Sequence, residues 1–270
     1  MLSEQINRIK DLMLIREQED VDLSRYLDST YLKTSEQAGI DEFETDRIVF
    51  DTIKDAIEHD MKLVMLRPEY VQSARMLIDK RGYTGRVKVG TVIGFPNGDG
   101  WMGDKFDEAM EAIKNGVDEL DYVVNYKAFQ KGDLDTIWKE VSEGTLIGVD
   151  EGKTVKWIIE SAALTNEEIA ELTRLISEIV VETVGSEKAK NVFVKTSTGF
   201  YEADDDRQIG ATPEAVRTMK SNSGPLQVKA SGGIYSKDDA ERMIDAGATR
   251  LGTSAAKDIL QGNKIDNLEY

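Results

Sequence analysis

Short apolar runs alternate along most of the chain with longer segments in which apolar residues recur at helical spacing. The longer segments begin near Ser, Thr, Asn or Asp residues that cap helices, and they include TDRIVFDTIKDAIEHD, MGDKFDEAMEAIKNG, TNEEIAELTRLISEIVVETVG and SKDDAERMIDAG. The short runs are typical of buried strands. They are SRYLDST, MKLVMLR, GRVKVGTVIGF, GVDELDYVVN, TVKWIIE, NVFVKTS, LQVKASG and ATRLGTS. The pattern therefore predicts eight strands, with helices between them.

This alternation favours a closed (β/α)8 TIM barrel of the α/β class. A doubly wound sheet usually has five or six strands and a glycine-rich turn after the first, and the chain has neither a G-x-G-x-x-G turn nor a Walker loop. Its 270 residues fit a single barrel domain. We therefore predict one catalytic domain over residues 21–270. Residues 1–20 carry helical spacing at Ile6, Ile9, Leu12, Met13 and Ile15, which predicts an additional N-terminal helix that packs on the barrel or contacts a partner subunit.

Composition narrows the function classes. The formal charge of -17 predicts a surface that repels nucleic acid and anionic membranes, so neither is an expected partner. Without a long apolar segment or a signal-peptide pattern, the chain is expected to be soluble and cytoplasmic. It has no cysteine, which excludes thiol catalysis, and its single histidine, His59, lies in a helical pattern typical of the surface. The acidic stretch at 202–208 is interpreted as a solvated loop, and no metal site is predicted.

Strand alternation predicts which charged side chains enter the barrel, because successive side chains point to opposite faces. In GVDELDYVVN the apolar set should face the helices, which sends both carboxylates inward. The strands NVFVK and LQVK each end on a lysine, near the end of the barrel where active sites form. These two strands are consecutive, so their lysines should be neighbours. The charged residues assigned to one face of their strands are Glu119, Asp121, Lys156, Glu160, Lys195 and Lys229.

Two neighbouring lysines beside a carboxylate indicate imine chemistry. An amine must be neutral to attack a carbonyl, and both burial and a second cation disfavour its charged form. The resulting iminium is an electron sink for breaking an adjacent carbon–carbon bond, and Asp121 could move protons directly or through water. Spacing alone does not say whether Lys195 or Lys229 is the nucleophile. It also leaves open that these residues only form a buried ion-pair network that fills the barrel.

Seven motifs lie in order on the predicted strands and the loops that follow them. They are LDSTYLK, VGTVIGFPNG, DELDYVVN, ESAALTNEEI, VKTSTGF, VKASGGI and LGTSA, between about residue 24 and residue 260. With them the chain resembles the deoxyribose-phosphate aldolases, class I aldolases with a (β/α)8 barrel. The resemblance implies reversible cleavage of 2-deoxy-D-ribose 5-phosphate to acetaldehyde and D-glyceraldehyde 3-phosphate, in deoxynucleoside catabolism. It implies no metal and no organic cofactor.

The resemblance also assigns roles to individual residues. It implies that Lys195 forms the Schiff base, that Lys229 tunes its protonation, that Asp121 shuttles protons and that Asp28 supports this polar network. Frequent dimers in the family make a homodimer the expected assembly. Backbone amides of glycine-rich loops and a helix N-terminus suit a phosphate. The residues that the resemblance assigns to the substrate phosphate are Gly199, Gly232, Gly233, Gly252 and Ser254.

The chain departs from the family on its first two strands. Relatives often carry histidine at the position of Ser29, and they commonly carry cysteine at Met65 and asparagine at Arg67. The arginine adds a cation near the barrel mouth that could touch the substrate. Loss of the cysteine should not prevent imine formation.

A third departure concerns the phosphate end of the site. Many relatives have arginine or lysine at the position of Tyr235, and the candidates to take over that cation's role are Arg207, Lys237 and Lys257. Two alternatives therefore stand beside the leading hypothesis. One is a Schiff-base aldolase with an altered or non-phosphorylated substrate, and the other is a noncatalytic sugar-phosphate-binding protein.

Overall fold

The computed structural model of the protein describes residues 22–203, 209–263 and 265. Eight parallel strands close into a barrel in the order of the sequence, with β1 paired to both β2 and β8. Each strand lies within one of the predicted apolar runs, so the predicted TIM barrel is confirmed. The strands are β1 Leu27–Thr30, β2 Leu63–Leu66, β3 Lys88–Ile93, β4 Glu119–Val123, β5 Thr154–Ile158, β6 Val192–Lys195, β7 Gln227–Ser231 and β8 Arg250–Thr253.

Helices separate the strands and surround the barrel. The predicted helix at residues 1–20 and most of the acidic stretch at 202–208 lie outside the described residues. No helix in the described parts of the chain is long and apolar enough to cross a membrane. The helices are α1 Ser35–Ala38, α2 Glu42–Glu58, α3 Val71–Lys80, α4 Met102–Lys114, α5 Tyr126–Gln130, α6 Leu134–Asp150, α7 Asn166–Ala189, α8 Pro213–Asn222, α9 Lys237–Asp245 and α10 Ala256–Gln261.

Polar caps fix where the predicted helices begin. Thr165 and Glu168 form a capping box at the start of α7, in which each side chain accepts a hydrogen bond from the other residue's backbone N–H. Ser236 caps α9 by accepting from the backbone N–H of Asp239. Near its end, α7 kinks at Gly185, whose φ of 77° is outside the helical range. Glycine adopts this backbone without strain, so the kink is encoded locally.

The barrel interior is divided into an apolar part and a charged part. Leu63 and Met65 of β2 pack with Val92 of β3 into a small apolar cluster, whereas the other strands contribute buried charges. Methionine at position 65 therefore serves as apolar filling. Ser29 is buried on the face of β1 opposite Asp28, which by alternation is the face directed at the helices. The histidine that relatives often carry at this position would thus lie outside the charged part of the barrel.

Candidate active site

Three lysines converge on one carboxylate near the C-terminal ends of β4 to β7. Lys195 and Lys229 are paired in the register of β6 and β7, as predicted. The Nζ atoms of both lie close to Asp121 Oδ2, Lys195 at 3.0 Å and Lys229 at 2.9 Å. Lys156 of β5 donates to the other oxygen, Asp121 Oδ1. Asp121 is fully buried, so each of its oxygens is held by ammonium groups rather than by solvent.

A second group of charges lies deeper in the barrel and supports the first. Asp28 Oδ2 is 2.6 Å from Lys229 Nζ, and Asp28 Oδ1 accepts from the guanidinium of Arg250. Arg250 also lies 3.0 Å from Glu119 Oε2, and Lys156 lies 2.8 Å from the same oxygen. The buried ion-pair network that periodicity left open therefore exists. Pairing of every charge offsets the large cost of removing it from water.

This network separates the protonation of the lysines. Burial lowers the pKa of Lys195 to about 8; Asp121 opposes that shift, and Lys229 adds to it. Burial alone would lower the pKa of Lys156, but Asp121 and Glu119 raise it above its ordinary value. Burial alone would raise the pKa of Asp121, yet Lys156, Lys229 and Lys195 hold it well below its usual range. Lys195 can thus reach the neutral form near physiological pH, while Lys156 remains a cation.

A cavity of about 320 Å³ opens above this network, a volume that suits a small ligand. Lys195 reaches this cavity although only 2% of the residue is exposed, whereas Lys229, Asp121 and Asp28 are buried beneath it. This difference identifies Lys195, rather than Lys229, as the amine that a ligand can meet. Of the residues assigned to the phosphate, Gly233 is not part of the cavity wall. Those that line the cavity are Gly199, Gly232, Gly252 and Ser254.

Other cations discussed from the sequence lie elsewhere. Arg67 donates from Nε to the carbonyl of Leu32 at 2.7 Å and stacks over the ring of Phe95, so it braces the loop after β1 instead of lining the cavity. Lys257 pairs with Asp55 at 2.8 Å, and Lys237 lies 3.8 Å from Glu241; neither contributes to the cavity wall. Arg207 lies outside the described residues.

Sequence reasoning missed two cations of the site. Lys33, in the LDSTYLK motif, lines the cavity; it and Lys195 are the charged side chains in the described part of the cavity wall. Its position three residues after the end of β1, in the loop at that end of the barrel, was the available signal. Arg250 pairs with Asp28, which is 222 positions away in the sequence, and nothing local indicates that contact. Lys156 was correctly placed on the inward face, but its contacts with Glu119 and Asp121 require the register of β4 and β5.

Comparison with known proteins gives a consistent result. The family model described as DeoC/LacD family aldolase matches residues 34–263. The deoxyribose-phosphate aldolase of Staphylococcus haemolyticus is 39% identical over 246 residues, covering 90% of this chain and 98% of that protein. The structure of QR15, an aldolase, is similar with a TM-score of 0.71 and 33% identity, covering 89% of this chain and 95% of that one. The deoxyribose phosphate aldolase of Aeropyrum pernix, described as a unique tetrameric structure, has a TM-score of 0.68 at 30% identity, covering 88% and 89%.

Proposed function

This chain belongs to the DeoC/LacD family of aldolases, and from that premise we propose that it cleaves 2-deoxy-D-ribose 5-phosphate to acetaldehyde and D-glyceraldehyde 3-phosphate. The observation that carries the proposal is the position of Lys195. Its amine reaches a cavity of ligand size, and its pKa is lowered to about 8 by burial and by its neighbours. The substrate of the Staphylococcus haemolyticus relative supports the choice of sugar phosphate.

The proposed reaction uses the lysine as a covalent catalyst. Neutral Lys195 Nζ attacks the C1 aldehyde, and loss of water from the carbinolamine gives an iminium. The C2–C3 bond then breaks as the C3 hydroxyl loses its proton, which releases D-glyceraldehyde 3-phosphate and leaves an enamine on the lysine. Protonation at C2 and hydrolysis return acetaldehyde and the free amine. Asp121, 3.0 Å from Nζ, can move these protons directly or through water.

The proposed phosphate position is the glycine-rich side of the cavity. Gly199, Gly232 and Gly252 allow backbone to approach an anion closely, and Ser254 follows β8. Lys33 contributes a cation to the same cavity. We assign to it the contact with the phosphate that Tyr235, which is not a cation, cannot make. The described wall has no acidic residue, which favours an anionic ligand in a chain of net charge -17. A non-phosphorylated substrate is the second candidate, favoured by the tyrosine at position 235.

Borohydride trapping tests the proposal. The protein is reduced in the presence of deoxyribose 5-phosphate or of deoxyribose, and the adduct is located by intact mass and peptide mapping. We expect one reduced adduct, on Lys195, with a clear preference for the phosphorylated sugar. A folded Lys195→Leu variant should give none, because Lys195 is the lysine of the described cavity wall that contacts Asp121; peptide mapping examines Lys33, the other lysine of that wall, separately.

The outcomes separate the candidate functions. An adduct on Lys195 with equal efficiency for both sugars would favour the non-phosphorylated substrate. A folded protein that binds the sugar phosphate without forming an adduct would be the noncatalytic binder. An adduct that persists in Lys195→Leu would remove Lys195 as the nucleophile.

Assembly and location complete the proposal. We propose a homodimer, as the family resemblance implies, although the Aeropyrum pernix relative is described as a tetramer. We also propose a cytoplasmic location. Sedimentation velocity at micromolar concentration distinguishes dimer, tetramer and monomer. Cell fractionation tests the location.

A further inference from the structure

Glu160 is a buried carboxyl residue that the proposed reaction does not use. It follows β5, and only 2% of the residue is exposed. Its backbone has φ 54° and ψ 66°, in the left-handed region that residues with a Cβ rarely adopt. Among the described non-glycine residues, only Asp60 shares a positive φ. Such a conformation is strained and persists only where the surroundings fix it.

The hydrogen bonds on either side of Glu160 explain the unusual backbone. Ile159 donates to the carbonyl of Lys195 at 3.0 Å, and Ser161 donates to the carbonyl of Thr196 at 2.8 Å. The donor thus moves by two residues after β5, from 159 to 161, while the acceptor moves by only one residue after β6, from 195 to 196. This offset is the geometry of a β-bulge. Bulges redirect a side chain and are frequent beside active sites. Here the bulge turns the carboxyl of Glu160 toward the loop after Lys195.

The carboxyl holds that loop through one residue. Glu160 Oε2 accepts from the backbone N–H of Thr198 at 3.1 Å and also from the Thr198 hydroxyl. The same hydroxyl oxygen accepts from the N–H of Phe200 at 3.0 Å, so the carboxylate fixes a complete turn. Thr198, Gly199 and Phe200 all line the cavity that Lys195 enters. Glu160 thus holds part of the cavity wall without lining the cavity itself.

The second oxygen of Glu160 lacks a hydrogen bond within the described part of the chain. Oε1 is buried and no described residue donates to it, which is costly for a carboxyl group. Burial raises the pKa of Glu160, while Thr198 and, less strongly, Lys195 lower it. Among the described residues, Tyr126 also interacts electrostatically with Glu160. Strain and an oxygen without a described partner at one residue indicate that Glu160 serves the loop it holds rather than stability.

We propose that Glu160 is a positioning residue that holds the turn at 198–200 against the phosphate end of the substrate. This proposal rests on the proposed function, since it assumes that a phosphate lies beside Gly199. Gly199 lies in this turn with a φ of 85°, a conformation that favours glycine, and it lines the cavity. Loosening the turn should therefore weaken binding of the phosphorylated sugar and leave the imine chemistry at Lys195 nearly intact.

Two substitutions at position 160 test this role. Glu160→Gly accommodates the left-handed backbone without strain but removes the carboxyl, whereas Glu160→Gln keeps an acceptor oxygen for Thr198. We expect Glu160→Gly to raise the KM for deoxyribose 5-phosphate about tenfold, and kcat/KM for deoxyribose to change less than about twofold. Glu160→Gln should restore the KM to within about threefold of the unmodified chain. Thr198→Val should resemble Glu160→Gly.

Hydrogen exchange measured by mass spectrometry provides a readout that needs no substrate. Peptides covering 196–200 should exchange faster in Glu160→Gly than in the unmodified chain or in Glu160→Gln. Unchanged exchange in Glu160→Gly, or an equal loss of kcat/KM for both sugars, would overturn the proposal. If the unmodified chain forms no imine with the sugar phosphate, the proposed function fails, and exchange still decides whether Glu160 holds the turn.

Discussion

At the scale of single residues, Asp121 is the contact that makes the three lysines interdependent. It binds Lys195 and Lys229 through one oxygen and Lys156 through the other. Burial and Lys229 lower the pKa of Lys195, whereas Asp121 raises it. The protonation of Lys195 therefore depends on a balance of nearby charges. Replacing one of these partners should therefore shift the pH dependence of kcat/KM as well as its magnitude.

Lys229→Met tests that balance. Removal of the neighbouring cation should raise the pKa of Lys195 above about 8 by roughly one unit, since Asp121 then pairs with fewer cations. The neutral fraction at pH 7 falls about tenfold, and the rising limb of kcat/KM moves to higher pH. The measurement is kcat/KM between about pH 6.5 and 9.5, a range that spans the pKa.

Lys88→Met is the matched control for this substitution. Lys88 is a partly exposed cation that lies 3.2 Å from Glu119, at the opposite end of the network. Its removal should leave the profile in place. A profile that stays unchanged in Lys229→Met, or shifts equally in both variants, would contradict the like-charge argument.

The charged residues of the site were predictable in different degrees. Alternation within one strand was enough to place Asp121, Lys195 and Lys229 in the barrel, because it depends only on local geometry. The pairing of Arg250 with Asp28 depends on how β8 closes against β1, which no local pattern shows. Glu160 was assigned to the inward face, but the bulge that redirects it depends on the offset between β5 and β6.

At the scale of elements, α6 shows why a helix can be hard to identify from its sequence. Its glycines weaken the helical pattern, since glycine costs about 1 kcal/mol relative to alanine inside a helix. The structure explains them by close packing on β5. A Cβ at Gly144 would lie 2.8 Å from the ring of Trp157, and one at Gly148 would lie 2.3 Å from Val155 Cγ2. The four helices that the sequence singled out contain at most one glycine each, so their amphipathic patterns remain clear.

Gly148→Ala tests how much the close packing of α6 on β5 contributes to stability. Helix propensity alone predicts a gain of about 1 kcal/mol, whereas overpacking against a stiff valine costs about 1–3 kcal/mol. We expect a net loss in the free energy of unfolding, measured by urea titration. The double variant Gly148→Ala with Val155→Ala should show favourable coupling, because the smaller side chain makes room. Stabilisation by Gly148→Ala alone would mean that α6 can move away from β5.

At the scale of the whole molecule, barrel closure brings charges from distant parts of the chain into one buried network. Eight consecutive strand predictions made the fold accessible from the sequence, because each βα unit has its own local pattern. The network is different in kind, since its members lie on β1, β4, β5, β6, β7 and β8. It exists only after closure, and it should therefore make the stability of the barrel depend on pH.

Acid should destabilise the barrel through Asp121 and Glu119. Both have a pKa held below the ordinary value in the folded chain. Their stabilisation is present above the pKa of the unfolded chain, near 4, and is lost as pH falls toward the folded values. Burial raises the pKa of Glu160 and Glu140 in the folded chain, so these two carboxyls favour folding as the pH falls. Their effect lies above about pH 4, outside the range in which Asp121 and Glu119 act. Each lowered carboxyl should contribute a slope of about 1.4 kcal/mol per pH unit below about pH 4.

Asp121→Asn isolates this contribution. Lys156 keeps its contact with Glu119 and Lys229 keeps its contact with Asp28, so both buried ammonium groups retain a counter-ion in the variant. Urea unfolding between about pH 5 and 3 should give a shallower decline for Asp121→Asn, by the equivalent of about one proton. Equal slopes for the two proteins would mean that Asp121 takes up its proton at the same pH in the folded and unfolded chains, and that the network does not hold it ionised.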